Sequence, residues 1–189
     1  MSQHEFFYRL VRCIAPTIAG IKPATLMNVS VYNGGLPDVW DCYKKNIFTK
    51  STINYYELKR TDKNVIVLFF NYYQLNKLLK KKPIREFLCS CGYESYSIEF
   101  ALSMLEYRYT CQCPPEIGIF LGIPLKDVKG FMGLNSLQNT KRGMWKIYGD
   151  PTVSERLMNN YRNAKNIINE RLFDGEDPVD IITSVNQLL

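Results

Sequence analysis

Apolar positions spaced three or four residues apart dominate the hydrophobic pattern and predict helices over most of the chain. Ser2 and Glu5 have the form of a capping box at the start of the first helix. The apolar face of that helix consists of Phe6, Phe7, Leu10 and Val11. We expect Pro16 to end this helix and Pro23 to open a short turn over residues 24–27.

Two further helices begin at prolines in the first half of the chain. The glycines at residues 34–35 mark a break, after which Pro37 opens a helix that contains Trp40. Pro83 opens the other helix, and Gly92 is placed to end it. The apolar residues of this second helix are Ile84, Phe87, Leu88 and Cys91.

Capping residues also predict three helices in the second half of the chain. Ser97, or Ser95 before it, can cap the first of them. Asp150 can cap a long helix with Pro151 at its first position, and the Asp-Pro pair at residues 177–178 repeats this device. The stripe of the long helix is Val153, Leu157, Tyr161, Ala164, Ile168 and Leu172. The closing helix carries Ile181, Ile182, Val185 and Leu188.

The middle of the chain has the pattern of β-strands. Residues 52–60 are rich in β-forming side chains, and residues 61–64 can form a turn. Residues 65–70 are a continuous apolar run, typical of a strand buried on both faces, and Asn71 can cap a helix directly after it. A strand that leads straight into a helix indicates a mixed sheet. We therefore predict an α+β (mixed α/β) fold: a single helix-dominated domain over residues 1–189, with a small sheet whose central buried strand lies near residues 65–70.

The composition is that of a globular protein. Of the 189 residues, 46% are hydrophobic and 22% are charged. The longest apolar run is far shorter than the ~20 residues needed to cross a bilayer. The N-terminal segment also lacks the apolar core of a signal peptide. We expect a cytoplasmic protein that does not bind membranes.

Positive charge is concentrated in the first half of the chain, although the net charge is only +6. Residues 1–85 hold 14 Lys and Arg against 5 Asp and Glu, whereas residues 86–189 hold 10 against 13. Most of the excess lies in the basic region, residues 44–85, where Glu57 and Asp62 are the acidic residues. This region could contact nucleic acid, a phosphate ligand or an acidic partner, or it could be a solvated lysine-rich surface.

The most distinctive segment is rich in glycine and proline and covers residues 114–131. Pro115 and Glu116 suit a first helical turn, because a missing N–H costs nothing there and a carboxylate meets the positive end of the helix dipole. Gly122 can take the left-handed conformation that ends a helix, and a second short helix follows. The segment therefore predicts a helical corner that is similar to a helix-turn-helix over residues 115–132.

Such a corner could belong to a DNA-binding regulator. Lys126 and Lys129 would then face a groove, and the basic region would add phosphate contacts. Gly130 and Gly133 weaken the presumed recognition helix, and Asp127 would repel phosphate. A purely structural corner is the alternative.

Residues 114–131 and the run Trp-Lys-Ile-Tyr-Gly-Asp at residues 145–150 resemble a known family. It is the family called domain of unknown function 3793, whose members are found mostly in anaerobic Firmicutes. Residues 15–23 also resemble its opening motif, so the resemblance covers most of the chain. It implies a protein of unestablished function with a link to iron or redox physiology. Two family residues differ here: Pro115 replaces the usual histidine and Ile123 the usual tyrosine, so no mechanism built on that histidine is open to this chain.

Polar and aromatic residues inside these motifs are the candidates for a binding site. Trp145 and Tyr148 beside a lysine can hold a planar or anionic ligand by stacking and charge. The candidate ligand-binding residues are Lys22, Glu116, Asp127, Trp145, Lys146, Tyr148 and Asp150. The alternative is that residues 145–150 form a strand edge packed on the long helix. The sequence does not identify the ligand or a cofactor.

The six cysteines are expected to be thiols, since the chain has no recognisable export signal. Cys89 with Cys91, and Cys111 with Cys113, are weak candidates for a thiolate metal site or a redox site. Their spacing argues against this, because positions i and i+2 of a helix point in nearly opposite directions. Core or incidental cysteines are the alternative.

Catalysis is a further alternative, since Glu116 or Asp127 could act as a general acid or base. However, the sequence contains no GxSxG, P-loop, G-x-G-x-x-G or H-E-x-x-H motif. Its single histidine, His4, lies in the first turn of a predicted surface helix. These observations favour a non-catalytic module that binds a ligand or a protein partner. A DNA-binding regulator is the next alternative, followed by a thiolate metal or redox protein.

Overall fold

A three-stranded antiparallel sheet forms the centre of the fold. The computed structural model describes residues 2–31 and 37–184. The strands are β1 (Ala24–Ser30), β2 (Ile53–Thr61) and β3 (Asn64–Asn71), in the spatial order β1-β3-β2. Because β3 pairs with both neighbours, the strand predicted at residues 65–70 is central, and most of its side chains are buried.

The two faces of the sheet carry separate apolar clusters, because successive side chains of a strand point to opposite faces. Val67 and Phe69 lie in the first cluster, whereas Leu68 and Phe70 lie in the second. The helices of the first face are α1 (Gln3–Ile18), α2 (Pro37–Phe48), the C-terminal half of α8 (Thr152–Phe173) and α9 (Pro178–Thr183). Those of the second are α3 (Tyr72–Leu79), α4 (Lys82–Ser90), α5 (Ile98–Tyr109), α6 (Ile117–Phe120) and α7 (Leu125–Phe131).

A two-stranded ribbon lies beside the corner formed by α6 and α7. It consists of β4 (Asn139–Arg142) and β5 (Lys146–Tyr148), and β5 packs against α7. The N-terminal half of α8 buries Ser154, Met158 and Tyr161. The predicted α+β class with a predominance of helix is thus confirmed.

Several predicted helix starts are confirmed by capping hydrogen bonds. Ser2 and Glu5 form the capping box of α1. Asn71 accepts from the backbone N–H of Gln74, and the side chains that cap α5 and α9 in the same way are those of Ser97 and Asp177.

Two predictions about prolines are wrong. α1 continues past Pro16 to Ile18, because Pro16 lies in the last turn and its carbonyl accepts from the N–H groups of Ile21 and Lys22. Residues 24–27 belong to β1 and not to a turn, because they pair with β3 along its free edge. The predicted mixed sheet is also wrong, because β3 pairs antiparallel with both β1 and β2.

The stripe predicted for α8 is correct only in its C-terminal part. Ser154 and Met158 are buried in place of Val153 and Leu157, so the first two turns are shifted by one residue. α8 begins at Thr152, one residue later than predicted, and Asp150 accepts from its backbone N–H at 3.0 Å. The predicted glycine break at residues 34–35 and the apolar positions at 185 and 188 lie outside the described residues. Among the residues that are described, no helix has both the length and the apolar character needed to cross a bilayer.

Candidate ligand-binding cleft

An open cleft of about 720 Å³ lies between the helical corner (residues 114–131) and the hairpin (residues 139–148). Most of its wall is apolar. The corner contributes Ile117, Leu121, Ile123, Val128 and Phe131, and the hairpin contributes Met144 and Trp145. Arg142 and Lys146 supply positive charge to the same wall, and Asp127 lies at its base. Such a volume and lining are typical of sites that bind small organic molecules.

Two glycines allow the corner to pack closely. Gly122 has φ +75°, and a Cβ there would lie 2.6 Å from the Tyr161 hydroxyl oxygen and 2.8 Å from Pro23 Cδ. A Cβ on Gly118 would lie 2.9 Å from Val128 Cγ2. The predicted corner and the left-handed Gly122 are thus confirmed. A larger residue at Gly118 would force α6 and α7 apart, whereas one at Gly122 would clash with Tyr161 and Pro23.

Asp127 connects the corner to the hairpin and to α8. The residue is 1% exposed. Its Oδ1 accepts from Lys126 Nζ at 2.7 Å and from the backbone N–H of Tyr148 at 2.8 Å. Its Oδ2 accepts from Trp145 Nε1 at 2.8 Å and from Ser154 Oγ at 2.5 Å. Four donors from three parts of the chain therefore converge on one buried carboxylate.

The pKa of Asp127 reflects this arrangement. Burial disfavours the charged form, but the hydrogen bonds from the four donors outweigh that effect and lower the pKa below its ordinary value. The carboxylate is therefore ionised at neutral pH. With its acceptor positions occupied, it is suited to positioning the hairpin rather than to taking a proton from a substrate.

α7 touches the hairpin through a glycine. A Cβ on Gly130 would overlap the ring of Tyr148, so this ring lies directly on the backbone of α7. Lys126 Nζ also donates to the Tyr148 carbonyl at 2.8 Å. Tyr148 is thus held through both backbone groups, and its ring packs on α7 instead of lining the cleft.

Trp145 is fixed by a second contact besides its bond to Asp127. Its ring centre lies 6.4 Å from that of Tyr161, and Lys22 Nζ lies 5.6 Å from the centre of the same tyrosine ring. Burial lowers the pKa of Lys22 and raises the pKa of Tyr161 to about 12. Lys22 thus contacts the site through Tyr161 and is not a lining residue of the cleft.

Two cations lie at the rim of the cleft. Arg142 and Lys146 are directly opposite each other in the register of the hairpin, and both side chains are exposed. Within the described residues, neither side chain forms an ion pair or a hydrogen bond, whereas the neighbouring Lys141 pairs with Glu155 at 2.7 Å. The rim is therefore positively charged and not neutralised.

Glu116 belongs to a different part of the corner. It does lie at the start of α6, as predicted, but its side chain is fully buried and pairs with Arg108 of α5. The Tyr93 hydroxyl donates to the same oxygen, Oε1, at 3.3 Å. Burial raises the pKa of Tyr93, and the charge of Glu116 adds to this effect. Over the described ranges, no group donates to the other oxygen, Oε2. Glu116 links α5 to the corner and does not line the cleft.

The cysteines of the predicted pairs are all free thiols. Cys89, Cys111 and Cys113 are exposed, and Cys91 is half-buried at the end of α4. Burial raises the pKa of Cys91, and the charge of Glu116 adds to this effect. In the part of the chain that the structure describes, no three His, Cys, Asp or Glu side chains come together as a group that could hold a metal ion.

Part of the basic region is neutralised by nearby acids. Lys44 and Arg60 each form ion pairs with Asp41 and Glu57, and Trp40 donates to Glu57 at 2.9 Å. The lysines at the junction of α3 and α4 are exposed, which fits the alternative of a solvated lysine-rich surface; they are Lys77, Lys80, Lys81 and Lys82. A role of this region in binding nucleic acid stays a prediction.

The helix that would read DNA has little free polar surface. α7 is seven residues long, and its Lys126 is bound to Asp127 and to the Tyr148 carbonyl. Lys129 Nζ lies 5.8 Å from the ring centre of Phe87. These contacts favour the structural alternative for the corner, and DNA binding stays a prediction.

The fold and the site define the class of this protein: a helix-dominated α+β protein with an apolar cleft beneath a β-hairpin. The chain belongs to the family described as Protein of unknown function (DUF3793), whose model matches residues 10–182. The match covers most of the chain and confirms the resemblance of its motifs. No curated protein and no solved structure matches the chain.

The structure brings some of the predicted site residues together and separates the others. Those at the cleft or holding its hairpin are Asp127, Trp145, Lys146 and Tyr148, and Cys113 of the weak metal candidates also lies in the wall. Lys22 contacts Tyr161, Glu116 pairs with Arg108, and Asp150 accepts from Thr152 at the start of α8. The family motif thus contains both the residues of the cleft and residues that only support the fold around it.

Phe131, Arg142, Met144 and Ser154 are among the residues of the site that were not predicted as site residues. A signal existed for Ser154, because a small polar residue stands at the first position of the buried stripe of α8. No local pattern identifies Arg142 or Met144, because their importance comes only from the packing of the hairpin over the corner.

Proposed function

We propose that the protein is a non-catalytic binding module that holds a small, largely apolar molecule in the cleft. One observation carries this proposal: the buried carboxylate of Asp127 holds the indole of Trp145 in the wall of an open apolar cleft. Asp127 uses all four of its hydrogen bonds to fix the parts of the chain around the cleft. A site fixed in this way loses little conformational entropy when a ligand binds.

The exposure of the wall supports the same proposal. Phe131 is 61% exposed and Met144 is 51% exposed, on opposite sides of the cleft. Contiguous apolar surface of this kind is unfavourable in water and often marks a binding site. A flat apolar ligand would bury these side chains and stack on the indole of Trp145.

Titration with the fluorescent probe 1-anilinonaphthalene-8-sulfonate tests the proposal. We expect saturable binding at a single site, with affinity reduced about tenfold in Phe131→Ser because a large apolar contact is lost. Phe173→Ser is the matched control, because Phe173 is 89% exposed and lies at the other end of α8 from the hairpin. Equal affinity in the two variants, or binding that does not saturate, would contradict the proposal.

A further inference from the structure

We propose that the ligand of the cleft is an amphipathic anion, with an apolar body and one acidic group that Arg142 and Lys146 hold at the rim. This inference rests on the proposed function, and it adds the chemical class of the ligand. The acidic group could be a carboxylate, a sulfonate or a phosphate, which share the charge and the acceptor oxygens that matter here.

The register of the hairpin carries the argument. Arg142 and Lys146 are direct partners across β4 and β5, so their side chains leave the ribbon on the same face. Like charges at directly opposite positions of an antiparallel pair repel each other. Because this face lines the cleft, the hairpin places two repelling cations where a ligand would enter.

The acids near the hairpin do not relieve this repulsion. Glu155 pairs with Lys141, Asp150 binds Thr152, and the acceptor positions of Asp127 are filled by four donors. An anion at the rim would therefore be the partner that neutralises the pair. Arginine in particular can bind a carboxylate or phosphate through two parallel hydrogen bonds.

The rest of the cleft wall indicates the chemistry of the other end of the ligand. Below the two cations the wall is formed by Trp145 and by apolar side chains of the corner, such as Ile117 and Leu121. A small inorganic anion would leave this wall uncovered, and a neutral apolar molecule would leave the cations unpaired. A molecule with an acidic end and an apolar body satisfies both surfaces.

A matched pair of probes tests the inference. N-Phenyl-1-naphthylamine has the ring system of 1-anilinonaphthalene-8-sulfonate without the sulfonate. The variant Arg142→Gln/Lys146→Gln should weaken binding of the sulfonate about tenfold or more, because two charge-assisted contacts are removed, and should leave binding of the neutral probe within about twofold. Added salt should weaken sulfonate binding in the natural protein more than in the variant.

The control is Lys45→Gln/Lys50→Gln, which removes the same charge from two exposed lysines of the α2 region. It should leave the affinity for both probes unchanged. Undiminished sulfonate binding in Arg142→Gln/Lys146→Gln would overturn the inference. An equal loss of affinity for the two probes would overturn it too, since Arg142 and Lys146 would then not be recognising the charge of the ligand. If the natural protein binds neither probe, the proposed function fails as well. If the natural protein binds both probes and every variant keeps the same ratio of the two affinities, the proposed function stands and this inference alone is overturned.

Discussion

The two buried carboxylates of the corner differ in how completely their oxygens are satisfied. Asp127 accepts hydrogen bonds on both oxygens, whereas Glu116 accepts from Arg108 and Tyr93 on one oxygen. A buried charge contributes to stability only when its hydrogen-bonding positions are filled. Asp127 should therefore contribute more to the stability of the fold than Glu116 does.

Asp127→Asn is expected to lower the free energy of unfolding by about 3 kcal/mol, because several donors would face a neutral amide in a buried position. Glu116→Gln should cost clearly less, because Arg108 is 36% exposed and water can hydrate its freed guanidinium. Urea denaturation of both variants measures the difference. Equal losses would contradict the role given to Asp127.

The lowered pKa of Asp127 predicts a specific dependence on pH. A folded-state pKa below the ordinary value of 3.8 means that the ionised side chain stabilises the fold above that pH. This contribution is lost as the pH falls from 3.8 through the lower folded-state pKa. The stability difference between the natural protein and Asp127→Asn should therefore be constant from pH 7 to 5 and should shrink below pH ~4. Urea denaturation at several pH values checks this, and a difference independent of pH would contradict it.

At the scale of elements, the contact between α7 and the hairpin determines the shape of the cleft. The ring of Tyr148 lies on Gly130, and the backbone of Tyr148 is bound to Asp127 and Lys126. From the sequence alone, Gly130 looked like a weakness of a recognition helix. Its small size is instead the condition for close packing of the hairpin.

Gly130→Ala is expected to destabilise the protein by about 1–3 kcal/mol, because the added methyl group displaces the tyrosine ring. It should also weaken binding of 1-anilinonaphthalene-8-sulfonate, since Trp145 precedes the displaced strand. In a Tyr148→Ala background the same substitution should cost much less, because the ring that it meets is gone. Calorimetric melting of the four proteins gives the coupling, and strictly additive effects would contradict this contact.

The sequence predicts elements well where a local device specifies them and fails where tertiary pairing decides. The capping residues Ser2, Asn71 and Asp177 mark true helix starts, because each bonds a backbone N–H of its own helix. β1 was missed because its identity depends on the free edge of β3, about forty residues away. Likewise, the burial of Ser154 depends on a carboxylate from another helix.

At the scale of the whole molecule, the two apolar clusters lie on opposite faces of one sheet and share its central strand. The cleft lies at the margin of the second cluster, where the corner meets the hairpin. α8 connects both regions, because its first turns hold Asp127 and its last turns pack against α1. This arrangement fits the predicted single domain. A link to iron or redox physiology stays a prediction.

The general position of the candidate site was predictable, because the family-like motifs at residues 114–131 and 145–150 contain much of its wall. Its chemistry was not. Arg142 and Lys146 face each other only because of the register between β4 and β5, which no sequence pattern specifies. The role of Asp127 depends on hydrogen-bond donors from three parts of the chain.

The two tryptophans allow the most direct test of the central claim, that the cleft beneath the hairpin is the ligand-binding site. Trp40 is buried in the first cluster and its indole donates to Glu57, whereas the indole of Trp145 donates to Asp127 in the cleft. The measurement is the ¹⁵N–¹H resonance of each indole during titration with 1-anilinonaphthalene-8-sulfonate. We expect the Trp145 resonance to shift to saturation while that of Trp40 stays in place. A Trp145 resonance that does not move while the probe binds would contradict the account.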